Sequence, residues 1–269
     1  MQMRAAALLG LCTALLIGCA TPPTSTTRAL VLLPADAILL GEQHDAPDHQ
    51  RIHREVIESL AAKGQLAAVA LEMAEQGNSS AGLPRDADAA QVQAALHWNE
   101  AGWPWAAYGP AVMAAVHAGV PVLGANLPRA QMRAAMANPM LDVQLPGPAL
   151  KAQQQAIRLG HCGMLPESQI APMTRIQVAR DMAMAQTIQA AAVPGKTVVL
   201  LAGAGHVDRS LGVPQHLPDG FIEKAVLLQV QSAPAATKNA ASYDQTWTTP
   251  SVPAKDYCAD LQSKPPTAP

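Results

Sequence analysis

Residues 37–44 read AILLGEQH and residues 197–206 read TVVLLAGAGH. Each is an unbroken apolar run that halts at glycine and is soon followed by histidine. An aliphatic run with no polar alternation predicts a strand covered on both faces, as in a parallel sheet. Three more runs have the same form: Leu66–Leu71, ending in Glu72-Met73; Val120–Leu123, ending in Gly124-Ala125-Asn126; and Ala225–Val230. Helical patterns lie between them. Ile52, Val56 and Leu60 recur every four residues over about 48–62, and further helices are expected over 129–136, 148–159 and 173–192, the last stopped by Pro194-Gly195. The alternation predicts an α/β fold, a mostly parallel sheet flanked by helices on both faces, with helical insertions.

Composition agrees. The chain is 49% apolar, largely Ala, Leu, Val and Met, which favours a helix-rich α/β fold over an all-β one. A formal net charge of −2 offers no basic field, so nucleic acid is excluded as a partner. No Gly-rich dinucleotide or phosphate loop is present, and Gly203-x-Gly205 is too slight to count as one.

The first residues carry a different message. Arg4 precedes an apolar run from Ala5 to Ile17, which ends in Leu16-Ile17-Gly18-Cys19. This is the layout of a secretory signal peptide with a lipobox, in which cleavage frees Cys19 for acylation. Position 20 is Ala rather than Asp, so the expectation is a lipoprotein of the outer membrane facing the periplasm, held to the membrane through lipid on Cys19. The organisation expected is a signal peptide over 1–18, the lipidated cysteine and a tether over 19–36, an α/β domain over 37–231 and a Pro/Ala/Ser-rich tail over 232–269. Cys12 leaves with the signal, and an oxidising periplasm would permit Cys162 and Cys258 to pair.

The polar residues just past the strands point to function. In an open parallel sheet the carboxyl ends lie along one edge, where ligands bind. Glu42, His44, Glu72, Asn126 and His206 therefore converge on that edge although widely separated in the chain. Buried carboxylates and imidazoles cost several kcal/mol unless paired or bound to a metal. Glu42, His44, Glu72 and His206 suit either a divalent metal or general acid/base catalysis, and spacing does not separate these roles. Each also has a structural reading: Glu72 as acceptor for loop amides, His206 as a helix cap. His53 reads as a helix-surface residue, and His97 and His117 as surface or packing residues. Trp98, Trp103, Trp105 and Tyr108 concentrate the aromatic content in one stretch, either as packing or as the wall of a flat apolar ligand, with Tyr108 offering a phenolate to iron. Arg129 is the candidate for a ligand carboxylate. Arg180 and Asp181 are neighbours on a helix, so one is expected in the crevice and the other in solvent.

Taken in order, LLGEQHDAPDHQ, ALEM, WNEAGWPWAAYGP, GANLPR, QVARDMAMA and GAGHVDRSLGVPQHL resemble the ChaN-like haem-binding lipoproteins, over about residues 37–217. The wider group is similar to the TraB/Tiki and erythromycin-esterase families, several of whose members are hydrolases. The resemblance implies a lipoprotein of iron uptake that binds haem in a pocket completed by a second subunit. Cofacial haems are held there by Tyr on iron and by His and Lys at the propionates. Carried over, Glu42, His44, Glu72 and His206 are the residues shared with the wider group, and Asn126, Arg129, Arg180 and Asp181 belong to this family. Tyr108, Tyr243 and Tyr257 are the tyrosines available, and only Tyr108 falls within the matched region. Haem binding with a haem-dependent homodimer is therefore the first expectation, with Tyr108, Arg129, Asn126, Arg180 and Trp105 at the cofactor. A metal-dependent periplasmic hydrolase using the Glu/His cluster is the second.

Overall fold

The computed structural model describes residues 25–231 and 242–263. The signal peptide and the lipid-bearing Cys19 expected from sequence lie outside the described residues, as do 232–241 and 264–269 of the expected tail.

The five expected strands form, a sixth joins them, and all pair in parallel. They are β1 (Ala37–Glu42), β2 (Leu66–Glu75), β3 (Val122–Asn126), β4 (Thr197–Gly203), β5 (Glu223–Val230) and β6 (Gln245–Thr249), in the order β3-β2-β4-β1-β5-β6. The side-chain alternation of a strand divides each run between two cores. Ile38, Leu40, Val69, Leu71, Val199 and Leu201 face one side, where α1 (Ser25–Leu30), α2 (Pro47–Ala62) and α4 (Trp105–His117) cover them. Leu39, Ala68, Ala70, Val198, Leu200 and Ala202 face the other, against Met184, Ala185 and Ile188 of the long helix α7 (Glu167–Ala191). A third apolar cluster joins α7 to α5 (Met132–Ala137) and to the approach to α6 (Gly147–Gly160). That cluster is the helical insertion between β3 and β4.

Local signals set the helix ends. Pro47 opens α2 at a position whose amide needs no partner, with Asp48 in its first turn. Asp88 and Gln91 form a reciprocal capping box at α3 (Ala89–Ala95). The path of the chain sets the site. It moves outward from β1 to β2 and β3 and returns to place β4 between β2 and β1. The carboxyl ends of β1, β2 and β4 are therefore adjacent at the place where connections diverge, the favoured ligand position of such sheets.

Two boundaries differ from the sequence reading. α1 and the buried Ala29, Leu32 and Ala35 pack on the core, so the folded unit starts inside the segment read as tether. The sheet also continues past residue 231, because β6 pairs with β5 and buries Trp247 to 2% exposure. Five residues beyond a Pro/Ala/Ser-rich stretch are too few to show periodicity, so this strand left little mark on the sequence. Arg28 lies over the Trp247 ring, 5.9 Å from its centroid, and Cys162 is joined to Cys258 at the start of α8 (Tyr257–Ser263). Among the described residues no helix is long and apolar enough to cross a membrane.

Trp247→Ala should lower unfolding stability by about 3–5 kcal/mol, the usual cost of emptying a buried tryptophan site. The check is a chemical-denaturation midpoint; an unchanged midpoint would show that β6 is not part of the cooperative unit.

Candidate functional site

Glu42 ends β1 with its carboxylate 2% exposed. Its Oε1 accepts hydrogen bonds from the Tyr108 hydroxyl at 2.7 Å and from His44 Nδ1 at 2.7 Å, and its Oε2 accepts one from Gln50 Nε2 at 2.7 Å. His53 Nδ1 lies 3.7 Å from Oε2. His53 is thus fully buried beneath the site, not on the helix surface: the α2 face carrying Ile52 and Val56 turns it inward. Burial would raise the Glu42 carboxyl, but His53, His44 and Tyr108 outweigh it and hold the group below its usual range.

A second carboxylate organises the other half. Glu72 Oε2 accepts the Gly203 amide at 2.7 Å, and Oε1 lies 3.4 Å from His206 Nε2. His206 Nδ1 is 2.5 Å from Asp181 Oδ1. His44 Nε2 stands 3.9 Å from Glu72 Oε2 and joins the two halves. Gly203 permits this approach, since a Cβ there would come within 2.9 Å of His44 Nε2. Burial opposes ionisation of Glu72, yet His206, His44 and the Gly203 amide bring its pKa down to about 2. For His206 burial again works against the charge, and Glu72 and Asp181 raise its pKa to about 10. Burial lifts Asp181 to about 6 against the pull of His206. At neutral pH the imidazolium of His206 therefore sits between two carboxylates.

The arrangement corrects several expectations. The ring nitrogens of His44 and His206 face carboxylates as ion pairs, and among the described residues no three His, Cys, Asp or Glu side chains are arranged to hold a metal ion. The divalent centre expected from Glu42, His44, Glu72 and His206 is not formed. Tyr108 is 1% exposed, donates to Glu42, and is held above the ordinary phenol range by burial and that carboxylate. It has no face to offer a ligand. Trp105 packs edge-on against Trp98, with ring centroids 5.0 Å apart, and is not part of the cavity wall. Asp181 is buried on His206, so neither it nor Arg180 is turned to open solvent as expected for one of the two.

Beside the network lies a cavity of about 1220 Å³. Glu72 and Asn126 form part of its lining, and Arg129 and Arg180 line it as expected. Trp103 of the aromatic stretch lines it too, as does His97, which the sequence reading placed as a surface or packing residue; Met73, Met132, Arg133 and Met136, not proposed as site residues, complete it. The spacing of Arg129, Met132, Arg133 and Met136 is that of one helix face, the signal that would have found them. Asn126 Nδ2 donates to the Glu72 carbonyl at 2.9 Å, leaving its Oδ1 buried without a partner. Arg180 Nε is also buried without a partner. Buried donors of this kind are normally satisfied, so an unpaired guanidinium nitrogen on a cavity wall marks a place for an anionic group.

A family model described as haem-binding uptake, Tiki superfamily, ChaN, matches residues 30–217. The chain belongs to the ChaN family. Among solved structures, one describing cofacial haem binding to ChaN of Campylobacter jejuni superimposes with a TM-score of 0.65 at 24% identity, covering 81% of this chain and 88% of that one. At that identity the likeness establishes the shared ChaN fold. The type III effector HopBA1 aligns at a TM-score of 0.46 and 16% identity over 85% of this chain and 94% of its own, too distant to carry an argument. Comparison with curated proteins finds no match.

The folded chain holds the His206 proton more tightly than the unfolded chain does. Its contribution to stability is therefore complete below 6.5 and is lost as pH rises through about 10. His206→Asn should cost about 3–5 kcal/mol near neutrality, because it strands two buried carboxylates. It should also flatten the alkaline decline between those two pH values. Urea midpoints across that range test this, and an equal decline in both proteins would remove His206 as its source.

Proposed function

We propose that this chain binds haem in the cavity beside the strand-end network, as a member of an iron-uptake system. The observation that carries the reading is the unpartnered Arg180 Nε in a large cavity walled by Met73, Trp103, Met132 and Met136. Porphyrin requires broad apolar walls and cationic partners for its carboxylates, and polarisable thioethers and indoles provide such walls. Arg180, with Arg129 and Arg133, supplies the cations, the part that the family resemblance gives to His and Lys. The bound iron would supply a coordination centre, while the protein holds the macrocycle and pairs its propionates. The volume exceeds the roughly 300–1,000 Å³ of ordinary small-molecule pockets, which suits a large ligand or a stacked pair.

The homodimer belongs to the same reading. Met140 and Val143 continue the segment whose Met136 and Ala137 line the cavity, and they are 63% and 70% exposed. A second copy would cover them together with the ligand faces that one chain leaves open. Attachment to the periplasmic face of the outer membrane through lipid on Cys19 rests on the lipobox sequence. The family match supports the haem reading over the hydrolase alternative.

Haem titration followed by absorption should show saturable binding, with a shift towards dimer in solution mass. Arg180→Met should weaken haem and iron-free protoporphyrin alike by about tenfold or more, as loss of a charge-assisted hydrogen bond requires. Undiminished binding would dissociate Arg180 from the propionates. Radiolabelled palmitate should be incorporated by the full chain in a Gram-negative host and not by Cys19→Ser; labelling of both would exclude Cys19 as the lipid site.

A further inference from the structure

We propose that His97 is the side chain that ligates haem iron in this chain, an assignment that rests on the haem reading above. The chain has three tyrosines, and each is engaged away from the cavity. Tyr108 gives its hydroxyl to Glu42 inside the core, Tyr243 is buried and points at the Ala204 carbonyl at 3.3 Å, and Tyr257 donates to Asp45 at 2.7 Å. None of them lines the cavity. Most of the other histidines are committed elsewhere. His44 and His206 face carboxylates, His49 bridges the Gln43 amide and Thr249, and His53 is sealed in the core. His161 meets the Ile157 carbonyl, and His117 and His216 lie outside the cavity wall. Among the described residues His97 is the one imidazole on that wall, and its ring has no hydrogen-bond partner in the protein.

The backbone at His97 supports a role for its side chain. It follows α3 at φ +48°, the left-handed position where a helix is usually closed by glycine. The Trp98 amide returns to the Gln93 carbonyl at 2.9 Å and the His97 amide to that of Ala94 at 3.2 Å, which completes the closing motif. Glycine would make this turn without the steric penalty of a Cβ. A histidine here keeps an imidazole at the edge of the cavity, close in sequence to Asn99 and Trp103, which line it too. Imidazole is a common donor to haem iron, as in proteins that hold the iron through a single histidine.

The test is spectroscopic and uses the whole chain loaded with haem. His97→Gly removes the ring and suits the left-handed turn, so its thermal midpoint should equal or exceed that of the unaltered protein. Its ferric haem complex should show a shifted Soret band and at least about tenfold weaker affinity, both restored by added imidazole. In the unaltered protein, resonance Raman of the ferrous complex should show an iron–histidine stretch that is absent from the variant. An unchanged spectrum and affinity in His97→Gly would overturn the assignment, as would a Soret shift produced by Tyr257→Phe instead. Failure of the unaltered protein to bind haem saturably is a different result and would overturn the haem reading itself.

Discussion

The structure depends on keeping Glu72 ionised where it is only 5% exposed, at the floor of the cavity. A carboxylate at the end of a central parallel strand costs several kcal/mol unless its surroundings replace the lost hydration. Here the replacement comes from three elements together: the Gly203 amide after β4, the imidazole of His206 in the next loop, and Asp181, which holds that imidazole from α7. Satisfying one charge thus fixes the relative positions of two strands and the longest helix. It also fixes the cavity wall, because the turn of α7 that sends Asp181 to His206 presents Arg180 to the cavity.

The cluster and the cavity are consequently different things that share Glu72. The Glu42 half of the network, with Tyr108, Gln50 and His53, is a packed support. It sets the β1–α2 loop, and His49 continues it by linking the Gln43 amide to Thr249 on β6. The cavity wall is built from β2, the approach to α4, the insertion after β3 and α7, and it combines thioethers, indole and guanidinium with Glu75 and the amides of Asn78, Asn99 and Gln169. The buried ion pairs are therefore concentrated in the frame, while the cavity wall mixes apolar, amide and cationic surface.

Much of this was legible in the sequence because buried parallel strands announce themselves as apolar runs. The five strands that were expected all formed, and Glu72, Asn126, Arg129 and Arg180 reached one cavity as their positions implied. What failed had local causes. Tyr108 and Trp105 lie in an aromatic stretch whose composition suggests a ligand wall. Yet only Trp103 of that group lines the cavity, since the phase of α4 turns Trp105 and Tyr108 inward and Trp98 packs edge-on against Trp105. His53 was obscured by a mixed polar pattern along α2, and β6 by its brevity. The apparent metal set dissolved because proximity of His and carboxylate is equally the signature of buried ion pairs, and only distances distinguish the two.

The link between Cys162 and Cys258 closes a covalent ring spanning 96 positions, and that ring contains β4, β5 and β6. A peptide-bond cleavage anywhere between those cysteines, residues 232–241 included, would open the backbone without releasing a fragment. The sixth strand would stay attached to its sheet through sulfur. Among the proteases of the periplasmic setting proposed above, a cut in that stretch becomes a change of connectivity and not a loss of mass.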